Sequence, residues 1–119
     1  MENTDGEFAK TYSSQMATQM RKGLLGYFIL LIAREPVYAS DIIRRLDAAG
    51  VRVVEGTIYP LLSRLHRDGL LAHQWQESPS GPPRKYYHLT DRGRAVINEL
   101  HDEVSSLNAA TNILKGDEQ

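Results

Sequence analysis

Proline and glycine divide this 119-residue chain into a fixed order of short elements, and that order is the strongest constraint on its fold. The residue ahead of a proline is pushed out of the helical region, so the apolar helix containing LLGYFILLIAREP must stop before Pro36. Its most apolar stretch, 24–33, is about half the twenty or so residues a bilayer crossing needs and reads as a buried core helix. Residues 38–49 then set Ile42, Ile43 and Leu46 on one face, and Gly50 closes the segment. After a β-branched connection over 51–54, the stretch 55–69, EGTIYPLLSRLHRDG, forms a third helix with Ile58, Leu61, Leu62 and Leu65 on one side. The opposite side carries Gly56, Pro60, Ser63 and Arg67, flanked by Thr57, Tyr59 and Arg64. Such a helix is anchored by one face and offers the other to a polar partner. Pro60 constrains its start, because a residue without an amide proton sits comfortably only in a first turn. Either Thr57 caps the helix or its first turn is distorted.

Residues 70–77 and 84–89 read as two strands joined by SPSGPP, a loop whose proline and glycine oppose regular structure. In the second strand Tyr87 and Leu89 share one face and Arg84, Tyr86 and His88 the other. Thr90 is placed to cap a last helix over Asp91–Leu114. Along that helix Ile97, Leu100, Val104, Leu107, Thr111 and Leu114 form a heptad seam. A seam this long on a terminal helix has little left in its own domain to pack against, so it predicts an intersubunit contact. At the other end, residues 1 to about 6 read as a loose tail. Phe8, Tyr12, Met16 and Met20 then recur at i, i+4, as an added helix or a long lead-in to the core helix, with a stripe suited to a partner subunit. The chain thus divides into an N-terminal extension (1–20), a central unit (21–90) and a dimerisation helix with its tail (91–119).

Composition removes several function classes. The chain has no cysteine, which excludes disulfides, thiolate catalysis and Cys-ligated zinc or iron–sulfur sites. His66, His73, His88 and His101 are not at metal-ligand spacing, and no Ser/His/Asp set, phosphate loop or paired carboxylates occur in the sequence. No enzyme activity, metal or cofactor is therefore expected. The acidic N-terminus has no basic region followed by an apolar run, so no export signal is read, no membrane is expected as partner, and the expected location is the cytoplasm. Net charge is only −1, yet positions 34–94 hold ten Arg and Lys against seven Asp and Glu. Phosphate attraction is screened within about 8 to 10 Å at ordinary salt, so this regional excess matters more than the total.

Three helices followed by a two-stranded hairpin is the order of a winged helix-turn-helix, here mainly α with a long C-terminal helix. In that module the third helix enters the major groove and the hairpin rides on the backbone or minor groove. Thr57, Tyr59, Ser63 and Arg64 are the first candidates for groove contacts, with Arg67 further along the same surface. Arg84 and Lys85 on the wing, Lys22 at the start of the core helix and the Tyr38 hydroxyl are candidates for phosphate contacts. Trp75 reads as a packing anchor at the base of the wing.

The combination RKGLLGYFILLIAREPVYASDII, EGTIYPLLSRLHRDGLL and GPPRKYYHLTDRGR, with a tryptophan in the wing strand, resembles the PadR family of bacterial transcriptional regulators. The resemblance covers most of the chain from Arg21 onward, and GTIYPLLSRL and PRKYYHLT are its densest signals. It implies a homodimer that packs its C-terminal helix against the partner's first helix and represses by binding a pseudo-palindromic DNA operator, in some members under a small-molecule effector. Three departures stand out. Tyr38-Ala39 replaces a frequent Tyr-Gly, the lead before Arg21 is longer, and the helix from Asp91 has no aromatic residue to stack on a flat ligand. Two rival readings are a winged-helix module for protein–protein contact and a ligand sensor with a hydrophobic pocket at the dimer interface.

Overall fold

The computed structural model describes residues 4–116, so the first half of the expected tail and the final 117–119 lie outside the described residues. Helix α1 (Thr4–Ile32) runs unbroken for 29 residues, about 43 Å at 1.5 Å per residue. Positions 4–6, expected to be loose, form its first turn, and the extension is a lead-in continuous with the core helix. Only Leu25, Ile29 and Leu30 of α1 are buried, all in its last third. The helix stops ahead of Pro36, and the Arg34 Nε donates to the Leu31 carbonyl at 2.9 Å over its end.

A two-residue strand follows, β1 (Val37–Tyr38), which pairs antiparallel with the wing through Val37 to Tyr87 and Tyr38 to Tyr86. The expected two-stranded wing is therefore part of a three-stranded sheet. Two residues are too few to show a period-2 pattern, so only their partner strand defines them as β. Tyr38, expected to open the second helix, is its extended N-cap, and α2 runs Ala39–Ala48 with Ile42 and Leu46 buried. Helix α3 (Glu55–Arg67) buries Ile58, Leu62 and Leu65. Pro60, expected in a first turn, lies inside the helix as its sixth residue, and Thr57 does not cap it. Val54 occupies the N-cap, no side chain caps the helix, and the Thr57 amide donates to the Val54 carbonyl at 3.0 Å with the tighter i, i−3 spacing. Gly69 ends the segment at φ +82°, a conformation a side chain disfavours, while the Leu70 amide donates back to the Leu65 carbonyl at 2.9 Å.

Strands β2 (Leu71–Ser78) and β3 (Gly81–Leu89) form the wing hairpin, and the sheet order is β1-β3-β2. The strands run further toward the tip than the Pro and Gly content suggests. Pro82 and Pro83 lie within β3, where the register shifts between Gln76 and Ser78. Among the described residues that irregular tip pairs only with β2, so a missing amide there breaks little pairing.

Helix α4 (Asp91–Leu114) is capped as expected: the Gly93 amide donates to the Thr90 hydroxyl oxygen at 3.0 Å. That hydroxyl in turn lies 2.7 Å from the Gly69 carbonyl and 3.1 Å from the Leu70 carbonyl, both acceptors for its one proton. The core joins Leu25, Ile29 and Leu30 of α1, Ile42 and Leu46 of α2, Ile58, Leu62 and Leu65 of α3, and Leu71, Tyr87 and Leu89 of the wing. The radius of gyration is 18.1 Å, against about 13 to 14 Å for a compact chain of this length. The excess comes from helix outside the core: no residue of α1 before Leu25 is buried, and of α4 only Gly93 is. No helix of the described residues is long and apolar enough to cross a membrane.

Candidate nucleic-acid interface

The fold brings four of the expected contact residues into one shallow cleft of about 290 Å³ between the wing and the starts of α2 and α3. Tyr38, Tyr59, Arg84 and Lys85 line it together with Ser40 and Tyr87. Its organisation follows from the strand register. Tyr38 lies opposite Tyr86 in the sheet, and their rings stack at 4.3 Å with an 8° interplanar angle. The Arg84 guanidinium lies over the outer face of this pair, 4.0 Å from the Tyr38 ring centroid, and Nη2 donates to the Ser40 hydroxyl at 3.4 Å. Lys85 is held in a similar way, its Nζ 5.2 Å from the Trp75 ring centroid. Neither wing cation is paired with a carboxylate among the described residues. Stacking restricts both side chains without neutralising them, which lowers the entropic cost of meeting an anion.

Along α3 the outward line Gly56, Pro60, Ser63 and Arg67 is exposed throughout. The candidates beside it diverge. Tyr59 turns into the wing cleft, whereas Thr57 faces a second cleft toward α1 that also includes Lys22. Arg64 lines a third groove, between α1 and α4. Thr57, Tyr59, Ser63 and Arg64 are thus spread over three sides of the helix and not gathered on one reading face.

The α1/α4 groove, about 310 Å³, takes in Tyr27, Leu30, Leu61, Leu100, Val104 and Leu107. The heptad seam divides accordingly. Ile97 packs against the chain's own core, Leu100 and Val104 are half-buried in the groove, and Leu107 and Leu114 are 57% and 85% exposed. Thr111 is exposed and spends its hydroxyl on the Leu107 carbonyl at 3.0 Å. On the arm of α1, Phe8, Tyr12, Met16 and Met20 are all exposed, and Phe8 and Tyr12 touch only at a ring separation of 5.4 Å.

Two expectations change. Trp75 is 63% exposed and supports Lys85 from the strand surface, so it is not an anchor in the wing's base. The histidines are not all scattered: His66 at the end of α3 and His73 on β2 meet with ring centroids 4.4 Å apart. Burial lowers the His73 pKa, with repulsion from His66 and Lys85 adding to it, and its Nδ1 has no hydrogen-bond partner. No group of three or more metal-binding side chains occurs among the described residues. Sequence reading missed Ser40 and the supporting role of Tyr86. The alternation that put Arg84 and Tyr86 on one strand face was the available signal, and it lacked only β1 as the stacking partner.

A family model for the "Transcriptional regulator PadR-like family" matches residues 28–99, from the end of α1 through the wing into α4. The chain belongs to the PadR-like family of transcriptional regulators. A PadR-like transcription factor from Bacteroides fragilis is 50% identical, with a TM-score of 0.71 over 84% of this chain and 98% of that one. A PadR family regulator from Eggerthella lenta is 33% identical and matches at a TM-score of 0.84 over 91% and 96% of the two chains. A transcriptional regulator of Mycobacterium tuberculosis is 39% identical over 67 residues, which span 56% of this chain and 62% of that relative. These relatives are transcriptional regulators and not enzymes, and the helical winged fold with its long α4 is shared with the two solved structures.

Proposed function

We propose that this PadR-like regulator is a homodimeric, sequence-specific DNA-binding repressor that acts by occupying its operator. The observation that carries the reading is the exposed line of α3 beside two wing cations, Arg84 and Lys85, which rest on aromatic rings and have no carboxylate partner among the described residues. In this reading Arg84 and Lys85, the Tyr38 hydroxyl and Lys22 hold phosphates and set the register. Ser63 and Arg67, in the C-terminal half of the exposed line, meet base edges, with Thr57 and Tyr59 at its flanks. Arg64 faces the α1/α4 groove and is assigned to that groove instead of to a DNA groove contact.

The second copy is assigned to the α1 arm and the distal half of α4. Phe8, Tyr12, Met16, Met20, Leu107, Ile113 and Leu114 are exposed on these two arms, and apolar burial contributes roughly 25 cal/mol per Å². Two copies of α3 related by a two-fold axis would then read half-sites about one DNA turn apart. The test is binding to the duplex upstream of the protein's own gene, beside a scrambled duplex of equal length. Arg67→Ala is expected to weaken operator binding by about 1 to 3 kcal/mol more than scrambled-DNA binding, the range for a bidentate base contact. Equal losses on both would remove the base-reading role and leave a phosphate contact.

A further inference from the structure

The cleft on the other flank of α3 holds a cationic group of which the reading above uses only Lys22. It measures about 360 Å³ and is lined by Arg21 and Lys22 of α1, Arg52 from the connection ahead of α3, and the hydroxyl residues Thr18 and Thr57. No carboxylate lines it. Lys22 has no ion pair among the described residues, and Arg21 points an Nη2 at the Thr18 hydroxyl at 3.3 Å. Among the described residues Arg52 forms one ion pair, with Asp47 at 3.6 Å, and both side chains are largely exposed, at 89% and 65%. Such a pair contributes little and is readily exchanged for a stronger anion. Glu55, in the first turn of α3, is exposed and lies outside the cleft's lining.

The position of this cleft gives it a meaning. Tyr59 points from α3 into the wing cleft and Thr57 from α3 into this one, so cationic clefts lie on both flanks with the line Gly56, Pro60, Ser63 and Arg67 between them. A helix with its side chains is about 10 to 12 Å across and the major groove about 12 Å wide, so a helix seated there has a phosphate backbone on each side. We propose that Arg21, Lys22 and Arg52 form a second phosphate clamp, which grips the DNA strand across the major groove from the wing. This rests on the DNA-binding reading above and adds Arg21 and Arg52 to it. The two arginines stand 31 positions apart in sequence, and no local periodicity connects them.

The clamp is tested on the full-length protein by fluorescence anisotropy, titrating salt with the operator duplex and with a scrambled duplex. Each lost phosphate contact flattens the plot of log affinity against log salt by about 0.9 per bound subunit. Arg52→Ala and Arg21→Gln should each produce that change and weaken both duplexes by the same factor, while Asp47→Asn, which frees Arg52, should tighten both. Melting curves confirm that the variants are folded, and Arg52, being exposed, provides the safer one. Salt-dependent binding by the unaltered protein together with unchanged slopes in both arginine variants overturns the clamp and leaves the DNA reading standing. No salt-dependent binding by the unaltered protein overturns both. Inorganic pyrophosphate, titrated at constant ionic strength, separates the two sources of phosphate. Arg52-dependent pyrophosphate binding with unchanged DNA slopes would assign the cleft to a free phosphate compound and overturn the strand contact.

Discussion

Replacing Gly93 with alanine should destabilise the protein, although helix propensity alone predicts the opposite. Gly93 is the third residue of α4, buried against the junction of α3 and the wing. An added Cβ would lie 2.6 Å from the Leu89 Cδ1 and closer still to the Leu70 carbonyl oxygen. A leucine methyl can rotate away, but the Leu70 oxygen cannot easily, because it accepts from the Thr90 amide at 3.2 Å and lies within reach of the Thr90 hydroxyl. The start of α4 must therefore move outward, straining the 3.0 Å cap from the Gly93 amide to Thr90. Overpacking of this kind costs about 1 to 3 kcal/mol, and a weakened cap adds about 1 kcal/mol. Gly to Ala in a helix returns about 1 kcal/mol. The net expectation is about 2 kcal/mol lost, or roughly 6 to 10 °C in Tm for a domain of this size. Gly56→Ala in α3 provides the control, since a Cβ there meets nothing within 4 Å and should leave stability unchanged or slightly raised. Thermal melts of both variants decide the matter. A Gly93→Ala protein as stable as the parent would refute the packing argument.

Two further outcomes are expected. Replacing Tyr12 and Met16 with serine should weaken self-association in sedimentation equilibrium while leaving the helical circular dichroism signal nearly unchanged, because both residues are exposed and far from the core. Unchanged association would release the α1 arm from the dimer contact. Stability should also fall as pH drops below about 6.5, because the His73 pKa is depressed in the fold from its ordinary value of 6.5 while the unfolded chain still takes up the proton there. The loss grows until the pH reaches the lower folded value and then levels off, and His73→Phe should remove this share of the pH dependence in urea titrations.

What the sequence revealed and what it withheld follow from the range of the interactions involved. The helix stops at Pro36 and Gly69, the Thr90 cap and the core faces of α2 and α3 are local or periodic, and each appears in the structure as expected. The β1 strand and the stacking of Arg84 on Tyr38 join residues distant in sequence, and the His66–His73 contact forms only because the turn after α3 folds β2 back onto that helix. None of them leaves a local signature. The candidate site was legible as a list of residue types but not as a geometry. A helical wheel puts Thr57 and Arg64 on one flank of α3 and Tyr59 on the other, but only the placement of α1, α4 and the wing shows that each meets a different neighbour. Trp75 was misplaced for a related reason: a large apolar ring suggests a core, and here Lys85 above it uses the ring's face instead.

One consequence of the fold bears on how such a regulator is controlled. The C-terminal end of α3 and the N-terminal end of α4 are bound to each other directly, through the Thr90 hydroxyl with its Gly69 and Leu70 acceptors, the Thr90 amide to Leu70, and Arg92 Nη1 to the Asp68 carbonyl at 3.1 Å. Gly93 lets the two backbones approach closely enough for these bonds to form. Three consecutive residues after α3 are thereby tied to the cap and first turn of α4, with no flexible segment between them. A rotation of α4 must carry α3 with it or break several hydrogen bonds at once. In a dimer held through the outer half of α4, a small change in the crossing angle at the interface would therefore appear as a displacement of the two copies of α3 relative to each other. DNA presents its half-sites at fixed spacing, so that displacement is read as lost affinity. Control of binding then requires no contact with the DNA-facing surface, only a bias on the angle between the arms.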